Sequence, residues 1–286
     1  MRVMLWLITG LMLLTGCSST NPYSDRLHLM AREASLHYKV HSGLEYDIAT
    51  WRRIQNTGAP LHIYIEGSGH IWEAKGRLSQ DPTPHHPKAF HLALADPHPN
   101  VVYLARPCQY VMDDPKHNRH CGPQLWSTHS LSDAVLADLN RAIHTLKREA
   151  QAKKIHLIGV GSGGNAAALL AGSRFDIASL RSVDGILDHD LYHTSLKQPR
   201  WAASLNAKNM AKLLRKIPQT HHITGLDSRL PREMAAQFLK PMGRESCAQV
   251  ALHQWNDLDT FLIKWPKLMA EAPPCLKAPE QADQKP

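Results

Sequence analysis

The sequence predicts an α/β fold with a mostly parallel central sheet and helices on both faces. Two observations carry that expectation. Short β-branched runs alternate with longer stretches of helical periodicity. Between the ends of the chain, about 250 residues also run without a linker-like break or repeat, so one domain is expected.

The strand candidates come first. "LHIYI" (61–65), "VVYLA" (101–105), "IHLIG" (155–159), "SLRSV" (179–183), "HHITG" (221–225) and "AQVALH" (248–253) have strand length and composition. The earlier "SLHYKVH" and "YDIAT" would add an antiparallel edge. Ser132 to Lys153 carries Ala134, Val135, Leu136, Leu139, Ile143 and Leu146 at helical spacing, with Asp133 near its start. Asn165–Ala171, Ala207–Arg215, Pro231–Leu239 and Leu258–Met269 read as further helices. Strand followed by helix, repeated, implies parallel pairing.

The ends have their own logic. Residues 1–16 read as a signal peptide: Arg2, the apolar run Val3 to Leu14, then small residues before Cys17. About twelve apolar residues are too few to span a bilayer. The pattern resembles the bacterial lipoprotein type, which implies lipid on Cys17 as the mature N-terminus, and Ser18 after it implies the outer membrane of the cell envelope. Residues 17–26 would be the lipidated tether, 27–275 the folded domain, and 276–286 a disordered tail.

Export also bears on the cysteines. Cys108, Cys121, Cys247 and Cys275 remain for disulfides in an oxidising compartment. Four cysteines allow three pairings; closing the two local loops favours Cys108 with Cys121 and Cys247 with Cys275. The formal charge of +8 falls to +7 once Arg2 is removed, and its lysines and arginines are scattered, which argues against nucleic acid. Nineteen histidines suggest a metal, but no CxxC or HxxxH spacing supports one, and His221 and His222 would point to opposite sheet faces. No metal and no cofactor are expected.

The stretch "IHLIGVGSGGNAAALL" admits two readings. Gly159, Gly161 and Gly164 spell a GxGxxG dinucleotide motif, with Asp184 roughly where a ribose-binding acid belongs. That reading would make an exported oxidoreductase. The alternative is a nucleophile elbow, which stands after the fifth strand with an acid after the seventh and a histidine after the eighth. Counting "YDIAT" as the second strand makes "IHLIG" the fifth. The glycines therefore fit an elbow better.

The segments "YIEGSGHIW", "PNVVYLARPCQY", "GVGSGGNAAALLA", "ILDH", "SLNAKNM" and "IPQTHHITGLDSRLP" resemble a bacterial family of lipoproteins with the α/β-hydrolase fold, marked by "YIEGDG", "GYSGGG" and "GGRD" motifs. The likeness runs from about Leu61 to Trp265 and implies an α/β-hydrolase fold and a serine-hydrolase-like site.

The roles that the resemblance implies carry over unevenly. An elbow needs small residues two before and two after its nucleophile; aligning the motifs puts Gly159 and Gly163 there and leaves Gly161 at the nucleophile position. With Ser162 as nucleophile instead, Val160 and Gly164 would take the small positions, and valine fits poorly. Ser162 is otherwise the residue after the elbow, whose N–H would line an oxyanion hole. Asp227 is the implied acid, and His253 a substitute base. The position of the family's histidine falls on Asp257 or Leu258, which cannot act as an imidazole does. Gly67, Ser68 and Gly69 form the oxyanion loop.

The expectation is thus an envelope lipoprotein with two vacated triad positions, Gly161 and Asp257. It would bind a small ester, acyl or peptide ligand, or a protein partner, beneath a lid from about Ile186 to Trp201. Loss of nucleophile or base in a serine protease removes about six orders of magnitude in rate. The alternative is an active carboxylic-ester or peptide hydrolase using Ser162, Asp227 and a displaced histidine.

Overall fold

The computed structural model describes residues 21–225, 229–255 and 257–276. The segment expected to be a signal peptide (1–16), Cys17, Asp227 and the expected tail from Lys277 onward lie outside the described residues. Strands β1 (His37–His41), β2 (Ile48–Ile54), β3 (Leu61–Ile65), β4 (Asn100–Leu104), β5 (Ile155–Val160), β6 (Ile177–Val183), β7 (Gln219–Thr224) and β8 (Ala248–His253) form one sheet. Its order is β1-β2-β4-β3-β5-β6-β7-β8. β2 runs antiparallel to both β1 and β4, and every other pairing is parallel. The antiparallel edge therefore lies where the two early segments predicted it.

Strand alternation builds two cores. Leu61, Ile63, Ile65, Ile155 and Leu157 face one side, packing with α3 (Asp133–Glu149), α4 (Ser162–Gly172), α6 (Ala211–Leu214) and α7 (Arg229–Leu239). Tyr64, Ile158 and Val160 face the other, against α1 (Pro22–Glu33), α2 (Lys88–Ala95) and α8 (Leu258–Ala270). The cap helix α5 (His189–Ser195) lies after β6. The His221/His222 doublet splits as alternation requires: His221 meets Phe238 of α7, and His222 meets Trp265 of α8.

Several boundaries differ from the sequence reading. The stretch expected to tether the chain enters α1 at Pro22, because Asn21 caps it through the Tyr23 N–H and proline suits the first helical position. The long helix expected over 132–153 stops at Glu149; Gln151 takes a left-handed φ of 51° so the chain can turn into β5. Instead of a helix over 207–215 there is a 3₁₀ turn, Ala207–Met210, followed by the short α6. Disulfides join Cys108 to Cys121 and Cys247 to Cys275, the favoured pairing. The second ties the segment after α8 to the entry of β8.

Candidate active site

At the end of β5 the chain reverses into α4 through one residue, Gly161, with φ 55° and ψ −123°. That is a conformation side chains rarely adopt. Its N–H donates to the Val183 carbonyl at 3.0 Å, and its carbonyl accepts from Gly164 at 3.0 Å and Ile186 at 2.9 Å. A Cβ on Gly159 would collide with the Gly163 carbonyl, and one on Gly163 with the Ile65 carbonyl. A Cβ on Gly161 would meet nothing within 4 Å. The two crowded glycines thus flank Gly161 at equal distance, and Gly161 stands at the tip.

Ser162 is the first residue of α4 and is buried, although it also lines the cavity above the elbow. Its Oγ accepts the Ser68 N–H at 2.8 Å and shares a hydrogen bond with Ser68 Oγ at 2.8 Å. The hydroxyl therefore occupies the N–H that the oxyanion loop would offer a carbonyl oxygen. That loop is fixed from behind: Gln109 Nε2 donates to the Gly67 carbonyl at 3.0 Å. Gly69 turns it with φ 74°, and a Cβ there would strike the Pro82 carbonyl.

Of the other expected triad positions, the two that are described, His253 and Asp257, do not make a hydrogen bond to Ser162. His253 ends β8 with Nε2 3.0 Å from His222 Nδ1, and its ring stacks on Trp255. Burial lowers its pKa below the ordinary histidine value. It does not line the cavity, so the expected substitute base is engaged elsewhere. Asp257 is exposed and caps α8, accepting the Thr260 N–H at 2.7 Å, which holds its carboxyl below the usual range. Asp227 lies outside the described residues, between β7 and α7.

The cavity over the elbow has a volume of about 510 Å³. Gly67, Ser68 and Gly69 form one part of its lining and Gly161 and Ser162 another. The expected lid segment contributes Ile186, His189, Tyr192, His193, Gln198 and Trp201. α5 is held there by Asp188, which accepts the N–H groups of Asp190 and Leu191 and pairs with Lys208 at 3.1 Å.

Glu66 was given no role by the sequence reading, nor were His189 and His193 within the expected lid, yet all three line the cavity. Burial pushes the Glu66 carboxyl up to about 7, against the Gly67 N–H, the Tyr103 hydroxyl and the first amides of α2, which favour its ionised form. Its place in the "YIEGSGH" motif was the available signal. Among the described residues no group of three His, Cys, Asp or Glu side chains could hold a metal ion. No helix among them is long and apolar enough to cross a membrane.

The dinucleotide reading fails on topology. The sheet order differs from the 3-2-1-4-5-6 order of that fold. Asp184 is not free for a ribose: its carboxylate accepts the Thr224 N–H at 2.9 Å and Thr224 Oγ1 at 2.6 Å.

Sheet order and elbow together define the α/β-hydrolase fold, and solved structures agree. An esterase from Pyrococcus furiosus superposes with a TM-score of 0.58 at 14% identity, over 83% of this chain and 90% of the esterase. A hormone-sensitive lipase from a metagenome library gives 0.52 at 14% identity, over 87% of this chain and 90% of the lipase. The acylaminoacyl peptidase of Pyrococcus horikoshii gives 0.55 at 13% identity over 82% of this chain, which spans only 40% of the peptidase. No protein-family model matches the chain, and no curated protein matches it in sequence.

Proposed function

We propose that this protein is a catalytically impaired relative of the serine hydrolases. It is held at the cell envelope, at the outer membrane, by lipid on Cys17, and it binds a small ester, acyl or peptide ligand in the cavity over its elbow. One observation carries the reading. Gly161 takes the strained tip position, while the neighbouring Ser162 hydroxyl is spent on the Ser68 amide. Serine attacks a carbonyl only when a base can take its proton, and no imidazole among the described residues is hydrogen-bonded to Ser162. A stabilising donor would remain at the Ser162 N–H, the first amide of α4.

A second reading is an active ester or peptide hydrolase using Ser162 with Asp227 and a displaced histidine. Its support is that the structural neighbours include an esterase and a peptidase, and that Ser162 lines the cavity. Fluorophosphonate labelling of the mature protein separates the two. The expected result is no adduct; an adduct on Ser162 that disappears in Ser162→Ala would overturn the binding reading and establish the hydrolase.

A further inference from the structure

Asn21, the first described residue, is fastened to the cavity end of the domain. Its backbone N–H donates to Asp113 Oδ2 at 3.1 Å, and its Nδ2 donates to Asp81 Oδ2 at 2.6 Å. Two residues on, the Tyr23 ring stacks on His85 with centroids 3.9 Å apart, and His85 stacks on His70 at 4.1 Å. Both histidines line the cavity over the elbow. The segments carrying these partners follow β3 and β4, which run parallel to each other and, through β3, to β5, so they leave the sheet at the elbow's end.

Only Ser18, Ser19 and Thr20 separate Asn21 from Cys17. Even fully extended, four residue steps reach at most about 14 Å, whereas a folded domain of about 250 residues is about 45 Å across. Lipid on Cys17 would therefore bring this end of the domain to the bilayer and leave the far end in water. The cavity meets solvent on the same side. Its exposed lining residues, Gly69, Trp72, His86 and Lys88, all come from the segment after β3 that Asn21 and Tyr23 hold.

The surface around that opening suits a membrane. Trp72 bridges to Leu78 across a short hairpin, 71–79, and residues 72–77 are all exposed. An indole with one face on protein and one in water, as Trp72 is at 43% exposure, belongs to the bilayer interface. Lys75 and Arg77 stand in the hairpin against one acid, Glu73. The cap adds exposed Leu196, Lys197 and Arg200 around Gln198, which lines the cavity, and residues 191–201 hold no acid. Cations beside exposed apolar side chains are what anionic headgroups attract. Asp81 and Asp113, the acids nearby, are engaged by Asn21.

We propose that the cavity end of the domain docks on the bilayer that holds the Cys17 lipid, with the 71–79 hairpin and the cap segment at the headgroups and the cavity opening toward them. This rests on the lipid anchor proposed above.

Fluorescence of the mature, acylated protein in vesicles of phosphatidylcholine and phosphatidylglycerol tests it, with an added lipid whose head group carries a nitroxide quencher. With lipid on Cys17 and the other four cysteines in disulfides, Ala74→Cys and Phe175→Cys each supply one free thiol for an NBD label. Ala74 lies in the hairpin turn, whereas fully exposed Phe175 precedes β6, at the far end of the parallel strands. Arg77→Cys gives a second hairpin position should Ala74→Cys not fold. The hairpin label should lose most of its emission to the quencher, and the label at 175 little. Equal quenching at the two positions, whether strong or absent, or stronger quenching at 175, overturns the docking inference and leaves the anchor in place. A mature protein whose intact mass shows no acyl group on Cys17 overturns the anchor reading beneath it, and the inference with it.

Discussion

Two serines in this molecule show opposite halves of what a serine nucleophile needs. Ser182, in β6, donates to His221 Nδ1 at 2.8 Å, and His221 Nε2 donates to Gln219 Oε1 at 3.1 Å. Gln219 in turn donates to the Leu214 and Ile217 carbonyls. Serine, imidazole and orienting group stand in the order a triad uses, but all three side chains are sealed in the core. Ser162 has the cavity and the adjoining strained turn without the imidazole. A hydrogen-bonded relay alone is therefore an ordinary way to satisfy a buried histidine; access and backbone placement are what turn such a relay into a site.

If the buried relay is structural, acid should attack it first. Burial drives His221 and His156 down to about 3. In the unfolded chain both titrate near 6.5, so the native state binds fewer protons once the pH falls below that value. Their contribution to stability is complete above about 6.5 and is lost as the pH drops toward 3. By pH 5 each group costs about 2 kcal/mol, about 4 kcal/mol together. Urea unfolding at pH 7 and pH 5 measures the difference. An unchanged unfolding free energy would mean that these rings are protonated in the native core and that the contrast with Ser162 has been drawn wrongly.

A smaller effect should separate the two serines directly. Ser182→Ala leaves His221 Nδ1 buried and unpaired, at a cost of about 1–3 kcal/mol. Ser162→Ala frees the Ser68 amide and hydroxyl beside the cavity, where a water or ligand can take them, and should cost less. Thermal melts of the two variants under one buffer make the comparison, and equal losses would put Ser162 in the same structural role as Ser182.

That contrast also explains what could be read from the sequence. The strands were legible because "LHIYI" and "IHLIG" are apolar, β-branched runs of strand length. The elbow was legible because crowding at Gly159 and Gly163 tolerates nothing larger, so counting between them reaches Gly161. The Ser182–His221 relay was hidden because it depends on the register of β6 against β7, which sets those two residues opposite each other. His253 invited assignment as a base because it ends the eighth strand, close to where the fold's histidine follows, yet its ring is claimed by His222 on the neighbouring strand. Strand order could not foretell that claim. His189 and His193 were given no role for a similar reason: their contacts with Leu205 and Gln198 depend on how the segment after β6 folds.

The last prediction rebuilds half of a site. A Cβ on Gly161 would enter open space, so Gly161→Ser has room for its side chain. What it meets is backbone strain, since φ 55° with ψ −123° is a region where a non-glycine residue costs energy, here about 1 kcal/mol after allowance for the entropy that glycine loses on folding. The variant should fold with a slightly lower melting temperature and place a hydroxyl at the elbow tip, beside the Ser162 N–H. Labelling should nonetheless stay absent, because placing the hydroxyl supplies no base: His253 is held by His222, and Asp257 caps α8. A fluorophosphonate adduct at the substituted position would reveal a base that reaches the elbow tip. In that event the difference between Ser162 and Ser182 reduces to one misplaced hydroxyl, and the rest of the catalytic apparatus is intact.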